Sequence, residues 1–381
     1  MSKLENMFKE VLASAGITIN GSNPWDIQIY NPQVYSMVMS SGSLGLGEAY
    51  MAKMWDCSRL DQFFERILAY DIEGELGLSQ KLKFVSSAAK EKIKTLVNPQ
   101  SIERCKFDVP HHYDIGNRLY RKMLDSRMTY TCGYWNRACS LDEAQEHKLD
   151  LICRKLDLKP GMRILDIGCG WGSFMIYAST KYGVICDGLT LSQEQKKLGI
   201  KLAIAHDVLP NFIIKDYREF KPAYKYDRVV SIGMVEHVGP QNYSEYFECA
   251  DRFLKDNGIF LLHTIGSPKS TYASDPWISK YIFPNGVIPS MKQLSEAIEN
   301  LFNIEDVHNF GEDYDKTLVH WFANFQKSWD QLRRDYNEEF YRMWKYYLLS
   351  CAGAFRSRDL SVWQLVLTKI GRPQPMTVRS M

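Results

Sequence analysis

Nine residues, Ile164-Leu165-Asp166-Ile167-Gly168-Cys169-Gly170-Trp171-Gly172, constrain this chain more than any other stretch. Branched apolar residues around one acid predict a buried parallel strand. The glycines at 168, 170 and 172 predict a tight turn, and residues 173–181 a helix. A backbone without Cβ lets the flat or extended part of a ligand lie directly on the main chain. A Gly-x-Gly-x-Gly alone fits an ordinary strand-helix turn equally well. The sequel narrows the choice. A second strand is predicted over 184–189, one helix later, followed by Thr190-Leu191-Ser192 where a nucleoside ribose would sit.

With 381 residues the chain has room for about two domains with full cores. The composition is that of a soluble globular protein, 45% hydrophobic and 24% charged, with 13% aromatic residues. That many rings suit a thick core, an apolar substrate channel or a cation-stabilising pocket. A net charge of +2 gives no reason to expect nucleic acid as a partner. Nine cysteines without a Cys-x-x-Cys pair read as reduced thiols, with no metal site expected. No charged-then-apolar leader opens the chain, and no apolar run is long enough to cross a bilayer. The expected location is the cytoplasm, from which lipid is met only at the membrane face.

Residues 1–95 read as a small α+β domain. Helices are predicted over 4–13 and 60–68, and a strand over 26–30. The glycines at 42, 45 and 47 lack the lysine of a phosphate loop and predict a turn into a helix over 48–54. Residues 96–110 read as the linker. From Lys81 to Lys106 seven bases face only Glu91 and Glu103. This run is either a solvated connection or a surface drawn to anionic headgroups, at about 1 kcal/mol per well-placed base.

Residues 111–381 form the larger domain. Met128 to Trp135 reads as a cover on a nucleotide fold or as plain core. A helix over 141–156 precedes strands at 212–214, 228–232 and 258–263. Strands alternating with helices imply an α/β fold, a mostly parallel sheet covered on both faces, with its ligand beyond the strands' carboxyl ends. Polar side chains fall at those ends: Asp216 and Tyr217, suited to an adenine edge and face, then Glu236, then His263. Singly, Glu236 serves as a helix cap and His263 as a satisfied core histidine. Together they predict a site. Residues 275–286 read as a lid, and the aromatic helices after 313 as core that also lines an apolar slot. Residues 360–367 read as a final edge strand pair.

The Leu165–Gly172 form resembles the S-adenosylmethionine fingerprint of Rossmann-like methyltransferases. Further motifs sharpen the likeness: His112-Tyr113-Asp114-x-Gly116-Asn117, Tyr130-Thr131-Cys132-x-Tyr134-Trp135 and Leu189-Thr190-Leu191-Ser192-x-x-Gln195. So do Gly233-Met234-x-Glu236-His237-Val238-Gly239-Pro240, Leu262-His263-Thr264-Ile265-Gly266 and Cys351-Ala352-Gly353-Ala354-Phe355-Arg356. Together they resemble the cyclopropane-fatty-acyl-phospholipid and mycolic acid cyclopropane synthases over about 111–370, and the amino-terminal domain resembles that of the phospholipid enzymes.

That resemblance implies methylene transfer from S-adenosylmethionine to a cis double bond of a phospholipid acyl chain, with bound bicarbonate as the base. Cys132, Glu236, His263, Ile265 and Tyr314 would hold the bicarbonate, partly through backbone N–H groups. Tyr130, Thr131, Asp166, Gly168, Gly170, Gly172, Thr190, Gln195, Asp216 and Tyr217 would hold the methyl donor. Cys351 matches a cysteine discussed as catalytic in the family and reads here as structural or pocket-lining. It further implies a homodimer that touches the bilayer peripherally through the amino-terminal domain. Two departures stand out. Thr190 replaces the acid that grips the ribose in many methyltransferases, a task Thr190 and Gln195 would share. Thr131 replaces a common serine and keeps its hydroxyl. Competing readings are a relative that adds a branch methyl to an acyl chain, an amine methyltransferase, and a non-catalytic lipid-binding protein.

Overall fold

The computed structural model describes residues 3–70, 100–102 and 116–375. The boundaries expected at 95 and 110, the basic run apart from residues 100–102, and His111 to Ile115 lie outside the described residues. The chain forms two compact units, each built from separated stretches. The first takes its described residues from 1–97, 272–284 and 314–360, the second from 98–271, 285–313 and 361–381.

In the first unit, strand β1 (Gln28–Ile29) pairs antiparallel with β2 (Trp55–Asp56). Around this ribbon pack the helices Lys3–Ser14, Gln33–Met51, Leu60–Ala69, Pro276–Tyr281 and Glu338–Arg356. The turn expected over the glycines at 42–47 is instead the interior of one helix, kinked at Gly42 with φ 56° and ψ −129°. Gly47 serves close packing: a Cβ there would lie 2.3 Å from Trp277 Cδ1. Trp277 itself is buried against Tyr346, so the aromatic anchor of the predicted lid segment is core of this unit. Arg342 ties the ribbon to the last helix. Its guanidinium donates to Tyr50 O at 2.6 Å, Trp55 O at 2.9 Å and Asp56 Oδ2 at 2.9 Å, and lies over the Tyr50 ring. Arg donates in a fixed fork, so one side chain here satisfies two backbone carbonyls and a carboxylate.

The second unit is the predicted α/β fold. Its strands are β3 (Arg163–Ile167), β4 (Ile185–Thr190), β5 (Asn211–Ile214), β6 (Tyr226–Ile232), β7 (Leu254–Gly266), β8 (Phe302–Asn309) and β9 (Ser361–Lys369), in the order β5-β4-β3-β6-β7-β9-β8. β3 to β7 pair in parallel, whereas β9 runs antiparallel to both β7 and β8. The expected edge pair at 360–367 is therefore a single strand inside the sheet, and the edge is β8. One face carries Phe247, Phe253, Leu294 and Ile298 from the helices Tyr243–Phe253 and Met291–Ile298. The other carries Leu149, Ile152, Phe174 and Ala178 from Leu141–Lys155 and Ser173–Tyr182. Burial on both faces explains the near-continuous apolar strands. Local chemistry sets the helix ends: Ser140 Oγ accepts from Glu143 N, and Ser290 and Gln293 form a reciprocal capping box.

Candidate active site

The turn after β3 is drawn tight by one carbonyl: Leu189 O accepts from the N–H groups of both Gly168 and Cys169, at 3.0 and 2.9 Å. Packing accounts for two of its glycines. A Cβ on Gly168 would lie 2.7 Å from Met234 Cγ, and one on Gly172 2.4 Å from Phe212 Cζ. Gly170, with φ 53°, is different: a Cβ there would meet nothing within 4 Å. Of the three glycines expected to cradle a ligand, Gly170 is the one whose bare backbone faces open space.

At the end of β4, Thr190 Oγ1 donates to Gln195 Oε1 at 2.8 Å, so the two residues expected to share the ribose are in contact. Ser192 Oγ accepts from Gln195 N and caps the helix Gln193–Ile204. After β5, Asp216 is gripped by its neighbour Arg218, which donates Nε to Oδ1 and Nη2 to Oδ2, both at 2.8 Å. Tyr217 is buried edge-on to Tyr246, its hydroxyl without a partner. Asp166, in β3, is buried with Oδ1 unpartnered, and burial pushes its carboxyl up to about 7 against the pull of Lys148.

β6 and β7 bring the acid and the imidazole to neighbouring strand ends, since Ile232 is the register partner of His263. Glu236 follows β6 in a single 3₁₀ turn, Val235–His237. Its Oε1 accepts from Ile265 N at 2.7 Å, and its main-chain oxygen accepts from Val287 N at 2.7 Å. Oε2 is buried with no partner. Burial raises the Glu236 carboxyl above its ordinary range, partly offset by the Ile265 N–H. His263 is buried too; desolvation, with Lys148 and Lys155 adding like charge, holds it well below the usual histidine value. The imidazole is therefore neutral at pH 7.

Gln364 Nε2 lies 3.3 Å from His263 Nδ1. With the amide nitrogen turned to the ring it donates, Nδ1 accepts, and the hydrogen of the neutral imidazole sits on Nε2. Gln364 was not among the predicted residues, though its signal is in the sequence: a lone polar residue in the apolar run Val362 to Leu367. We expect the carboxylate of Gln364→Glu, which only accepts, to draw the imidazole hydrogen from Nε2 to Nδ1 and lower turnover about 10²-fold. Imidazole ¹⁵N shifts should report the change of tautomer while S-adenosylhomocysteine affinity stays as in the wild type.

Cys132 is fully buried and its Sγ donates to Gly133 O at 3.1 Å. Beside it Tyr134 meets His308 and Phe310 edge-on, and Phe310 meets His263. The segment Met128 to Trp135 has neither helix nor strand. Among the predicted bicarbonate contacts, the Ile265 amide is already engaged by Glu236. Tyr314 and Cys351 belong to the first unit. There Tyr314 packs on Phe355 at 4.6 Å and edge-on to Trp321. Burial pushes the Cys351 thiol up to about 12. Thiolate is the reactive form, and this shift disfavours it at neutral pH.

A doubly covered sheet, a glycine turn after its first strand and polar groups at successive strand ends define a doubly wound nucleotide-binding fold, and its relatives make it an S-adenosylmethionine-dependent methyltransferase. Comparison with known proteins narrows it. The chain belongs to the mycolic acid cyclopropane synthetase family, which matches residues 100–365. It is 48% identical to the cyclopropane-fatty-acyl-phospholipid synthase of Escherichia coli over 360 residues, 94% of this chain and 92% of that protein. It is 37% identical to cyclopropane mycolic acid synthase 1 of Mycobacterium tuberculosis over 279 residues, 69% of this chain and 96% of that protein. Among solved structures it resembles the mycolic acid cyclopropane synthase CmaA1 complexed with SAH and CTAB, with a TM-score of 0.64 and 35% identity over 69% of this chain and 98% of that one.

Proposed function

We propose that this enzyme transfers a methylene group from S-adenosylmethionine to the cis double bond of an unsaturated phospholipid acyl chain and closes a cyclopropane ring. Its likeness to the Escherichia coli phospholipid enzyme along nearly the whole chain supports that substrate class. An alkene is a weak nucleophile, so holding it in line with the sulfonium methyl supplies much of the acceleration. The π pair forms the new C–C bond as the methyl–sulfur bond breaks, leaving S-adenosylhomocysteine and a carbocation. The new methyl then loses a proton, and its C–H pair closes the ring.

The observation that carries this reading is the pair at the ends of β6 and β7. Glu236 presents a buried Oε2 with no partner, and His263 is a neutral imidazole protonated on Nε2. One acceptor and one donor fit a small oxyanion that carries both a hydroxyl and bare oxygens. Bicarbonate, when bound, supplies a proton acceptor beside the carbocation. Glu236 would accept its hydroxyl proton and His263 would donate to one of its oxygens, with Cys132 beside them in the same unit. We take the acceptor lipid to lie in a bilayer approached from its surface. Among the described residues no helix is long and apolar enough to cross a membrane.

Incubation with S-adenosylmethionine and vesicles of a cis-unsaturated phospholipid should add one methylene to the acyl chain, read by mass spectrometry. The product should resist ozonolysis. A product of equal mass that ozone cleaves would instead establish branch methylation with retained unsaturation.

A further inference from the structure

A cluster of buried polar groups lies behind the glycine turn, and it rests on the reading of residues 168–172 as the S-adenosylmethionine site. The helix Leu141–Lys155 holds the irregular segment before Cys132 from two side chains on one face. Gln145 Nε2 donates to Thr131 O at 2.8 Å, and Lys148 Nζ donates to Thr131 Oγ1 at 2.9 Å. Lys148 is completely buried. A buried ammonium needs opposite charge, and among its acidic neighbours Asp125 acts on it most strongly. Asp125 is itself locked, its oxygens accepting from the N–H groups of Thr129 and Arg127 and from Thr129 Oγ1. Burial pulls Lys148 down, and the acidic neighbours, Asp125 first, pull it back towards the charged form.

The other branch of Thr131 is equally fixed. A Cβ on Gly233 would lie 2.7 Å from Thr131 Cγ2, so the methyl is seated on bare backbone at the end of β6. The next residue, Met234, packs against Gly168. Thr131 therefore stands beside the glycine turn, where β3 and β6 run side by side. An ammonium only donates. It occupies a lone pair of Oγ1 and forces the hydroxyl hydrogen to point elsewhere. With the methyl on Gly233, the rotamer cannot swing to relieve this.

We propose that Lys148 is a positioning residue: without touching the cofactor, it makes the Thr131 hydroxyl an obligate hydrogen-bond donor to the carboxylate of the methionine part of S-adenosylmethionine. A threonine in place of serine suits the role, because its extra methyl removes a rotamer.

Calorimetric affinities for S-adenosylhomocysteine and for 5′-methylthioadenosine, which lacks the amino-acid part, test this. Lys148→Gln offers Oγ1 a carbonyl to donate to, reversing the bond. It should weaken S-adenosylhomocysteine about tenfold and leave 5′-methylthioadenosine unchanged. Thr131→Val should cost as much, Thr131→Ser little, and the Lys148→Gln/Thr131→Val double variant no more than either single one. Should the lysine variant not fold, the Val and Ser variants decide: equal affinity of the two for S-adenosylhomocysteine overturns the proposal. Unchanged affinity in Lys148→Gln, an equal loss for both ligands, or additive losses overturn it as well. Wild-type protein that bound 5′-methylthioadenosine and S-adenosylhomocysteine not at all would overturn the underlying cofactor reading instead.

Discussion

Glu236→Gln is expected to lower turnover about 10³-fold while S-adenosylhomocysteine binds as to the wild type. The two oxygens of Glu236 do different work. Oε1 accepts from Ile265 N, and the amide oxygen of glutamine can keep that bond, so the 3₁₀ turn after β6 stays in place. Oε2 has no protein partner. In the variant it becomes an NH₂, a donor where the proposed chemistry needs an acceptor, and a neutral group where a carboxylate can take charge. The size is unchanged, so the loss is chemical and not one of packing. Single-turnover measurements with saturating S-adenosylmethionine separate the two. Wild-type turnover in this variant would remove Glu236 from the mechanism; lost cofactor binding would make it a structural residue.

The largest stability effect is expected at the far edge of the same sheet. Lys155 Nζ lies 3.2 Å from Asp306 Oδ2, with each side chain only 1% exposed. Removing one member of such a pair leaves a charge in a low-dielectric interior, which costs about 3–5 kcal/mol. Lys155→Met should lower stability by that amount in urea denaturation. The double variant Lys155→Met/Asp306→Leu should recover most of it, because both desolvation penalties go together. A single-variant cost under about 1 kcal/mol would show that the carboxylate finds other compensation.

How far the sequence announces this structure depends on whether a residue's reason is local. The strand, turn and helix around Asp166 were legible because alternation, glycine and helix periodicity all agree over 164–181. The order of the last strands was not. In β8 the apolar Ile304 and Val307 are exposed while Asp306 is buried, with an irregularity between Ile304 and Asp306 that shifts the register. Period-two reasoning has no purchase on such a segment, because its inward residue is an acid ion-paired with Lys155, far away in sequence. Lys148 was hidden for a related reason. Its position reads as ordinary helix, and only tertiary contact places it under Thr131. The glycines of 42–47 misled in the opposite direction, since helix–helix contact at Gly47 uses the same residue type as a loop.

Inserting β9 between β7 and β8 has a consequence for synthesis. Until residues 361–369 leave the ribosome, the β7 flank is a raw edge, an invitation to mispairing with other chains. The same strand delivers Gln364 to His263. A nascent chain that stops short of it therefore has an adhesive edge and a histidine without its neighbour.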